Sequence, residues 1–268
     1  MKTRAITGIV FVIVLVGSFL LGPWVFSLFF ALIALLSLNE FYGIVDSNSE
    51  KISINRVVGI AAGAGLFGGA ILFQMHVITS SVLLALIPLI TLLFWTELFR
   101  KTGNPFGNIA FTFLGIIYAV VPFVFFYLLG FIDGSYDYQY PLGFLILLWA
   151  SDTGAYLAGR SLGKTKLFER HSPKKTWEGS FGGLLISLLA AFILSRYFVG
   201  LETWEWMITS VIIVVFGTYG DLTESMLKRS YGIKDSGNIL PGHGGFLDRF
   251  DGLLLSAPLV YLFLMWVV

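Results

Sequence analysis

Long apolar runs, interrupted by polar joints, set the pattern of this chain. Nine runs are candidate membrane-spanning helices: about 5–21, 24–38, 57–73, 77–99, 109–130, 142–159, 180–199, 205–224 and 253–268. A spanning helix takes about 20 mostly apolar residues, roughly 17–25, so the second and last runs are short. The runs are continuous and lack the apolar–polar alternation of barrel strands, which predicts helices. Lys2 and Arg4 precede the first run. No small-residue cleavage signal follows it, and Gly22-Pro23 leads into a second run, so it reads as a membrane helix rather than a leader. Trp24, Trp95, Trp149, Trp177, Trp204, Trp206 and Trp266 fall mostly near predicted ends, where amphipathic rings prefer the interface.

Composition strengthens this reading. The chain is 57% apolar and 12% charged, against about 45–50% and about 25% for soluble domains. Mean hydropathy is +0.86. The expected fold is an all-α polytopic membrane protein of about nine transmembrane helices. With a cytoplasmic N-terminus and alternating spans, 16 of the 17 Lys and Arg fall inside and only Arg196 falls outside. That partition follows the positive-inside rule and puts the C-terminus outside. The net charge of +1 carries no nucleic-acid footprint, and the absence of Cys excludes disulfides, thiolate metal sites and a Cys nucleophile.

The chemistry-bearing residues crowd into the second half. Residues 1–140 read as a scaffold of about five spans with almost no intramembrane charge. Residues 141–268 read as a catalytic membrane domain of about four spans with two polar cytoplasmic loops. The first loop, Arg160 to Glu178, is basic; its bland reading is contact with anionic headgroups. Ser172, Lys174, Lys175, Thr176 and Trp177, with Lys164 before them, also suit phosphate and base contacts. The second loop, Lys228 to Gly252, is rich in glycine and charge. Its Pro241-Gly242-His243-Gly244-Gly245 turn offers bare backbone amides to phosphate.

Acids mark the helix ends next to both loops. Asp221, Glu224, Ser225 and Lys228 recur at helical spacing and share one stripe, with a Glu224–Lys228 ion pair as the plain alternative. Asp248 and Asp251 stand three apart at the start of the last helix. Capping that helix is their plain reading. Together with Asp221 they also suit Mg²⁺ on a nucleotide, since that ion takes one or two carboxylates plus phosphate oxygens. A zinc site at His243 is disfavoured by the lack of partner spacing.

Ser225, Lys228-Arg229, Lys234-Asp235, Pro241, His243-Gly244-Gly245, Asp248-Arg249 and Asp251, at their spacing, resemble the signature of the phosphatidate cytidylyltransferases (CDP-diacylglycerol synthases). Ser151-Asp152, Ser172 to Gly179, and Gly220-Asp221-Leu222 with Glu224-Ser225 are similar to the same family's blocks. The resemblance covers roughly residues 148–252; Thr223 departs from it, where many relatives carry an aromatic. It implies conversion of CTP and phosphatidate to CDP-diacylglycerol and pyrophosphate by a Mg²⁺-dependent enzyme. It also implies a homodimer in the bacterial inner membrane with its site facing the cytoplasm. Whether a second ion joins Mg²⁺ stays open.

In this reading Asp221, Asp248 and Asp251 ligate metal, and Lys228, Arg229, Lys234 and Arg249 neutralise polyphosphate. Lys174 and Lys175 close over CTP or the lipid phosphate, and Asp152 stands behind the ligands or pairs with a lysine. Lys164, Ser172, Thr176, Asp235, His243, Gly244 and Gly245 complete the substrate contacts. Three other readings compete. One is a CTP-dependent polyprenol or phytol kinase. The second is a CDP-alcohol phosphotransferase, suggested by Asp248-x-x-Asp251-Gly252 but not continued after it. The third is a transporter using Asp152 and Asp221, for which no inverted repeat is evident.

Overall fold

The computed structural model describes residues 2–49, 51–79, 84, 86–237, 239 and 244–268, without the side chains of 2–6, 48 and 86. Ten α-helices dominate: α1 (Lys2–Leu20), α2 (Pro23–Asn48), α3 (Arg56–Gln74), α4 (Leu86–Phe99), α5 (Pro105–Gly115), α6 (Val121–Leu129), α7 (Gln139–Leu162), α8 (Trp177–Tyr197), α9 (Thr203–Ser230) and α10 (Leu247–Val267). A π-helical turn, Ile116–Val120, joins α5 to α6. By length and composition, seven helical stretches among the described residues are able to cross a membrane. Two shorter apolar helices, Thr7–Leu20 and Ile87–Phe99, fall on the first and fourth predicted runs. The chain is thus an all-α polytopic membrane protein.

Several boundaries move. The second run, expected to be short, becomes a helix of 26 residues that starts on Pro23, whose missing N–H costs nothing at a helix start. The last helix begins at Leu247, so it includes Asp248 and Asp251. The first polar loop is not all loop: Lys166–Phe168 (β1) and Ser172–Thr176 (β2) pair as an antiparallel hairpin.

The chain forms two compact units, and both are discontinuous. The first comprises Met1–Val124 and Tyr231–Arg249. The second comprises Phe125–Ser230 and Phe250–Val268. The residue 140/141 boundary drawn from sequence does not coincide with this division.

In the first unit Phe19, Phe26 and Phe30 are fully buried and pack as tilted rings at 5.0–5.6 Å between centroids. The Tyr42 hydroxyl donates to the Thr112 carbonyl at 2.9 Å, tying α2 to α5. Asp46 pairs with Arg56 at 2.7 Å and accepts from the Ile54 amide, which fixes the turn into α3. Glu97, also buried, pairs with Arg100 and accepts from Asn108.

In the second unit α7 and α8 meet through small residues. A Cβ on Gly183 would come 2.8 Å from the Ser151 carbonyl oxygen, and one on Gly182 would come 2.2 Å from the Ala158 Cβ. Small residues let membrane helices approach closely enough for backbone packing and interhelical hydrogen bonds. Ser187 donates to the Leu147 carbonyl at 3.1 Å and accepts from Ser210 at 2.9 Å, linking α7, α8 and α9. Trp206, expected among the interfacial tryptophans, is instead only 1% exposed and lies over Gly143.

Candidate active site

The hairpin and the start of α8 are built as one piece. Thr176 ends β2 and caps α8, its Oγ1 accepting from the Gly179 amide at 3.2 Å. The Glu178 carboxylate in the first turn of α8 accepts from the amides of Lys164 and Thr165, each at 3.1 Å. The Trp177 amide donates to the Thr165 carbonyl at 3.0 Å. These bonds fix the basic hairpin to a helix whose positive end faces the same side.

Lys175 projects from this platform toward α9. Its Nζ lies 2.6 Å from Asp221 Oδ2, while Ser225 donates to Asp221 Oδ1 at 3.3 Å. Asp221 is thus paired with a lysine of the hairpin. Asp251 on α10 is within electrostatic reach of Asp221, Asp152 and Lys175. The second unit thus gathers three acids from α7, α9 and α10 around one hairpin lysine. The helices approach closely here: a Cβ on Gly220 would come 2.3 Å from the Asp251 carbonyl oxygen.

A cavity of about 320 Å³ opens at this cluster. Its polar lining includes Ser151, Asp152, Lys174, Lys175, Thr176 and Asp221. Beside it is an apolar groove of similar size, lined by Phe168, Trp177, Phe181, Val215, Tyr219 and Leu222 among others. Ser180, Val214 and Thr218 line both. Lys164 and Ser172 sit on the same hairpin side of the unit, Lys164 exposed and Ser172 half-buried.

Glu224 and Lys228 form an ion pair one turn apart on α9, with Glu224 1% and Lys228 9% exposed. The plain alternative weighed for this stripe is therefore present. Arg229, next to it, is exposed.

The remaining predicted residues lie in the first unit. Lys234, Asp235 and Arg249 are exposed. Asp248 Oδ2 accepts from the Ser236 amide at 2.9 Å, the Ser236 hydroxyl at 3.0 Å and the Gly245 amide at 2.9 Å. These bonds tie Asp248 to the loop that precedes α10. Gly244 has φ of +81°, a region that disfavours side chains, and its Cβ would meet Asp248 Oδ2 at 2.5 Å. His243, Pro241 and Gly242 lie outside the described residues.

Glu40 was missed. It is buried on α2 and accepts hydrogen bonds from Ser236, Phe246 and Leu247. A carboxylate set between the apolar stretch 24–38 and Phe41-Tyr42 was the available signal, since acids flanked by apolar residues in membrane helices are rare and mark functional sites.

The chemistry of the donor set suits a hard divalent cation, which takes oxygen ligands. Among the described residues, no group of three or more His, Cys, Asp or Glu side chains is arranged to hold a metal ion by itself. Two carboxylates of the second unit, completed by substrate oxygens, match the usual habit of Mg²⁺.

A profile of the cytidylyltransferase family matches residues 2–267. A protein of Staphylococcus haemolyticus (strain JCSC1435) called phosphatidate cytidylyltransferase is 35% identical, over 98% of this chain and 99% of its own. A namesake from Staphylococcus aureus (strain COL) is also 35% identical over the same shares. One from Staphylococcus epidermidis (strain ATCC 12228 / FDA PCI 1200) is 32% identical, again over 98% and 99%. Matched from end to end by the profile and by these relatives, the chain belongs to the cytidylyltransferase family.

Proposed function

We propose that this protein is a membrane-embedded phosphatidate cytidylyltransferase, making CDP-diacylglycerol and pyrophosphate from CTP and phosphatidate. The observation that carries the reading is the Lys175–Asp221 pair on a polar cavity that adjoins an apolar groove, in a chain of this family. Such a cavity and groove suit a substrate with a charged head and greasy tails.

The reaction joins a phosphatidate oxygen to the α-phosphorus of CTP and breaks the bond from that phosphorus to the oxygen bridging it to the β-phosphate. The attacking monoester is anionic near neutral pH, so no strong general base is needed. The barrier lies in bringing two anions together and in the charge that builds on pyrophosphate. Lys174 and Lys175 on the hairpin hold the reacting phosphates against each other. Lys228 and Arg229 on α9, with Lys234 and Arg249 from the loop and the start of α10, neutralise the polyphosphate. Asp221 and Asp251 would hold Mg²⁺ and Asp152 would complete their surroundings, while Asp248 keeps the preceding loop in place. The bound ion would neutralise phosphate charge and stabilise the leaving pyrophosphate. Lys164, Ser172, Thr176, Asp235, His243, Gly244 and Gly245 supply the remaining substrate contacts or the backbone that frames them.

Nine spans with the N-terminus inside would put both polar loops, and the site, on the cytoplasmic face of the bacterial inner membrane. A homodimer is the assembly expected for this family. The deciding experiment incubates purified protein with labelled CTP and phosphatidate, with and without Mg²⁺. Mg²⁺-dependent CDP-diacylglycerol and pyrophosphate are expected. CDP with a phosphorylated lipid alcohol as product would replace this reading with a lipid kinase.

A further inference from the structure

Glu40 lies within α2, two residues past the apolar run at 24–38, and is 6% exposed. We infer that Glu40 is a positioning residue for Ser236-Gly237 and Gly245–Leu247, which flank the start of α10, and, through them, for the nucleotide polyphosphate. This rests on the phosphate-binding reading of the glycine-rich segment given above.

The carboxylate faces three donors. Oε1 accepts from the Phe246 amide at 2.9 Å; Oε2 accepts from the Leu247 amide at 3.0 Å and shares the Ser236 hydroxyl, at 3.1 Å, with Asp248 Oδ2. Phe246 and Leu247 stand at the start of α10, where backbone amides lack partners within their own helix. Glu40 is therefore a cap supplied by another helix, at the end of α10 that favours negative charge. Asp248 binds the Ser236 and Gly245 amides in parallel. Both described ends of the segment, at residues 236 and 245–247, are thus held by carboxylates.

The glycines on either side make room for this grip. A Cβ on Gly237 would come 3.0 Å from Glu40 Oε1, and one on Gly245 would come 2.3 Å from Glu40 Oε2. A side chain at Gly245 would force the acid or the backbone to move. The sequence thus provides close access for a carboxylate that touches no proposed substrate atom. Its effect reaches the nucleotide only through the backbone it orders.

The test uses the purified full chain in detergent. Glu40→Gln puts an NH₂ group against one of the amide donors, which loses its acceptor. Amide hydrogen exchange is read over residues 233–247, and CTP and phosphatidate are varied separately in kinetics. A bond to a charged acceptor contributes enough for about tenfold or more in an equilibrium. Exchange in this segment should therefore rise about tenfold, and KM for CTP should rise by a similar factor, with KM for phosphatidate within about twofold. Glu40→Asp, which keeps the charge, should recover part of both. Ser236→Ala removes one donor and should shift both readings less in the same direction; it carries the test if Glu40→Gln does not fold. Unchanged exchange over 233–247 overturns the role of Glu40. Faster exchange with KM for CTP unchanged also overturns it, and then shows that the segment does not serve the nucleotide.

Discussion

Lys175 Nζ and Asp221 Oδ2 lie 2.6 Å apart, joining a hairpin that follows α7 to the polar stripe in the C-terminal half of α9. Both side chains are partly exposed at the cavity, so the pair is positioned to exchange partners with substrate rather than to hold the fold. Asp221→Asn should lower kcat about 100-fold or more, and Lys175→Met about 10- to 100-fold, the range for losing one charge-stabilising group. Thermal unfolding in detergent should change little in either. Because the two act on each other, the double variant should lose less than the product of the single losses; strict multiplicativity in steady-state rates would show that they work independently.

Glu224 and Lys228 behave differently because they are buried. Removing one partner breaks a buried ion pair, at a cost of about 3–5 kcal/mol. Glu224→Leu alone should therefore lower the unfolding midpoint sharply. Glu224→Leu with Lys228→Met should regain most of that stability. If Lys228 also holds polyphosphate, the double variant should be stable and still at least tenfold slower. Recovery of full turnover would confine Lys228 to the fold.

Gly220 and Gly217 offer a paired comparison on α9. A Cβ at Gly220 would meet the Asp251 carbonyl oxygen at 2.3 Å, whereas one at Gly217 would meet the flexible end of Leu148 at 3.1 Å. Gly220→Ala must push backbone apart and should destabilise by about 3 kcal/mol, with loss of turnover. Gly217→Ala should be tolerated within about 1 kcal/mol. Equal melting curves for the two variants would contradict the close approach of α9 to α10.

Thr176 joins the hairpin to α8 through its cap on the Gly179 amide. Thr176→Val should cost about 1 kcal/mol and speed amide exchange at Gly179. Thr176→Ser, which keeps the hydroxyl, should restore the protection. If valine leaves exchange at Gly179 unaltered, the cap contributes nothing.

Much of the architecture could be read from the apolar runs because lipid demands long unbroken stretches, and each run has a helix on it. The ends were harder. Leu247 to Gly252 contains two acids and an arginine, so the last apolar run begins only at 253, although the spacing of Asp248 and Asp251 already places both acids at the start of the helix. The hairpin at 166–176 was hidden for a similar reason: its strands are three and five residues long, largely exposed and highly charged. At the site, the Asp221–Ser225–Lys228 stripe was visible as helical spacing. The partner of Asp221 was not, because Lys175 reaches it from another element. Glu40 illustrates the limit most clearly, since its hydroxyl partner lies 196 residues away and no local pattern links them.

That separation bears on how the protein is made. The carboxylate of Glu40 leaves the ribosome long before Ser236, Phe246 and Leu247 exist, and the early helices must enter lipid before its hydrogen-bond donors have been synthesised. The first unit, although it begins at the N-terminus, closes only after Arg249 has been added. Chains that stall before Ser236 hold this carboxylate in α2 without the three donors that meet it in the finished fold.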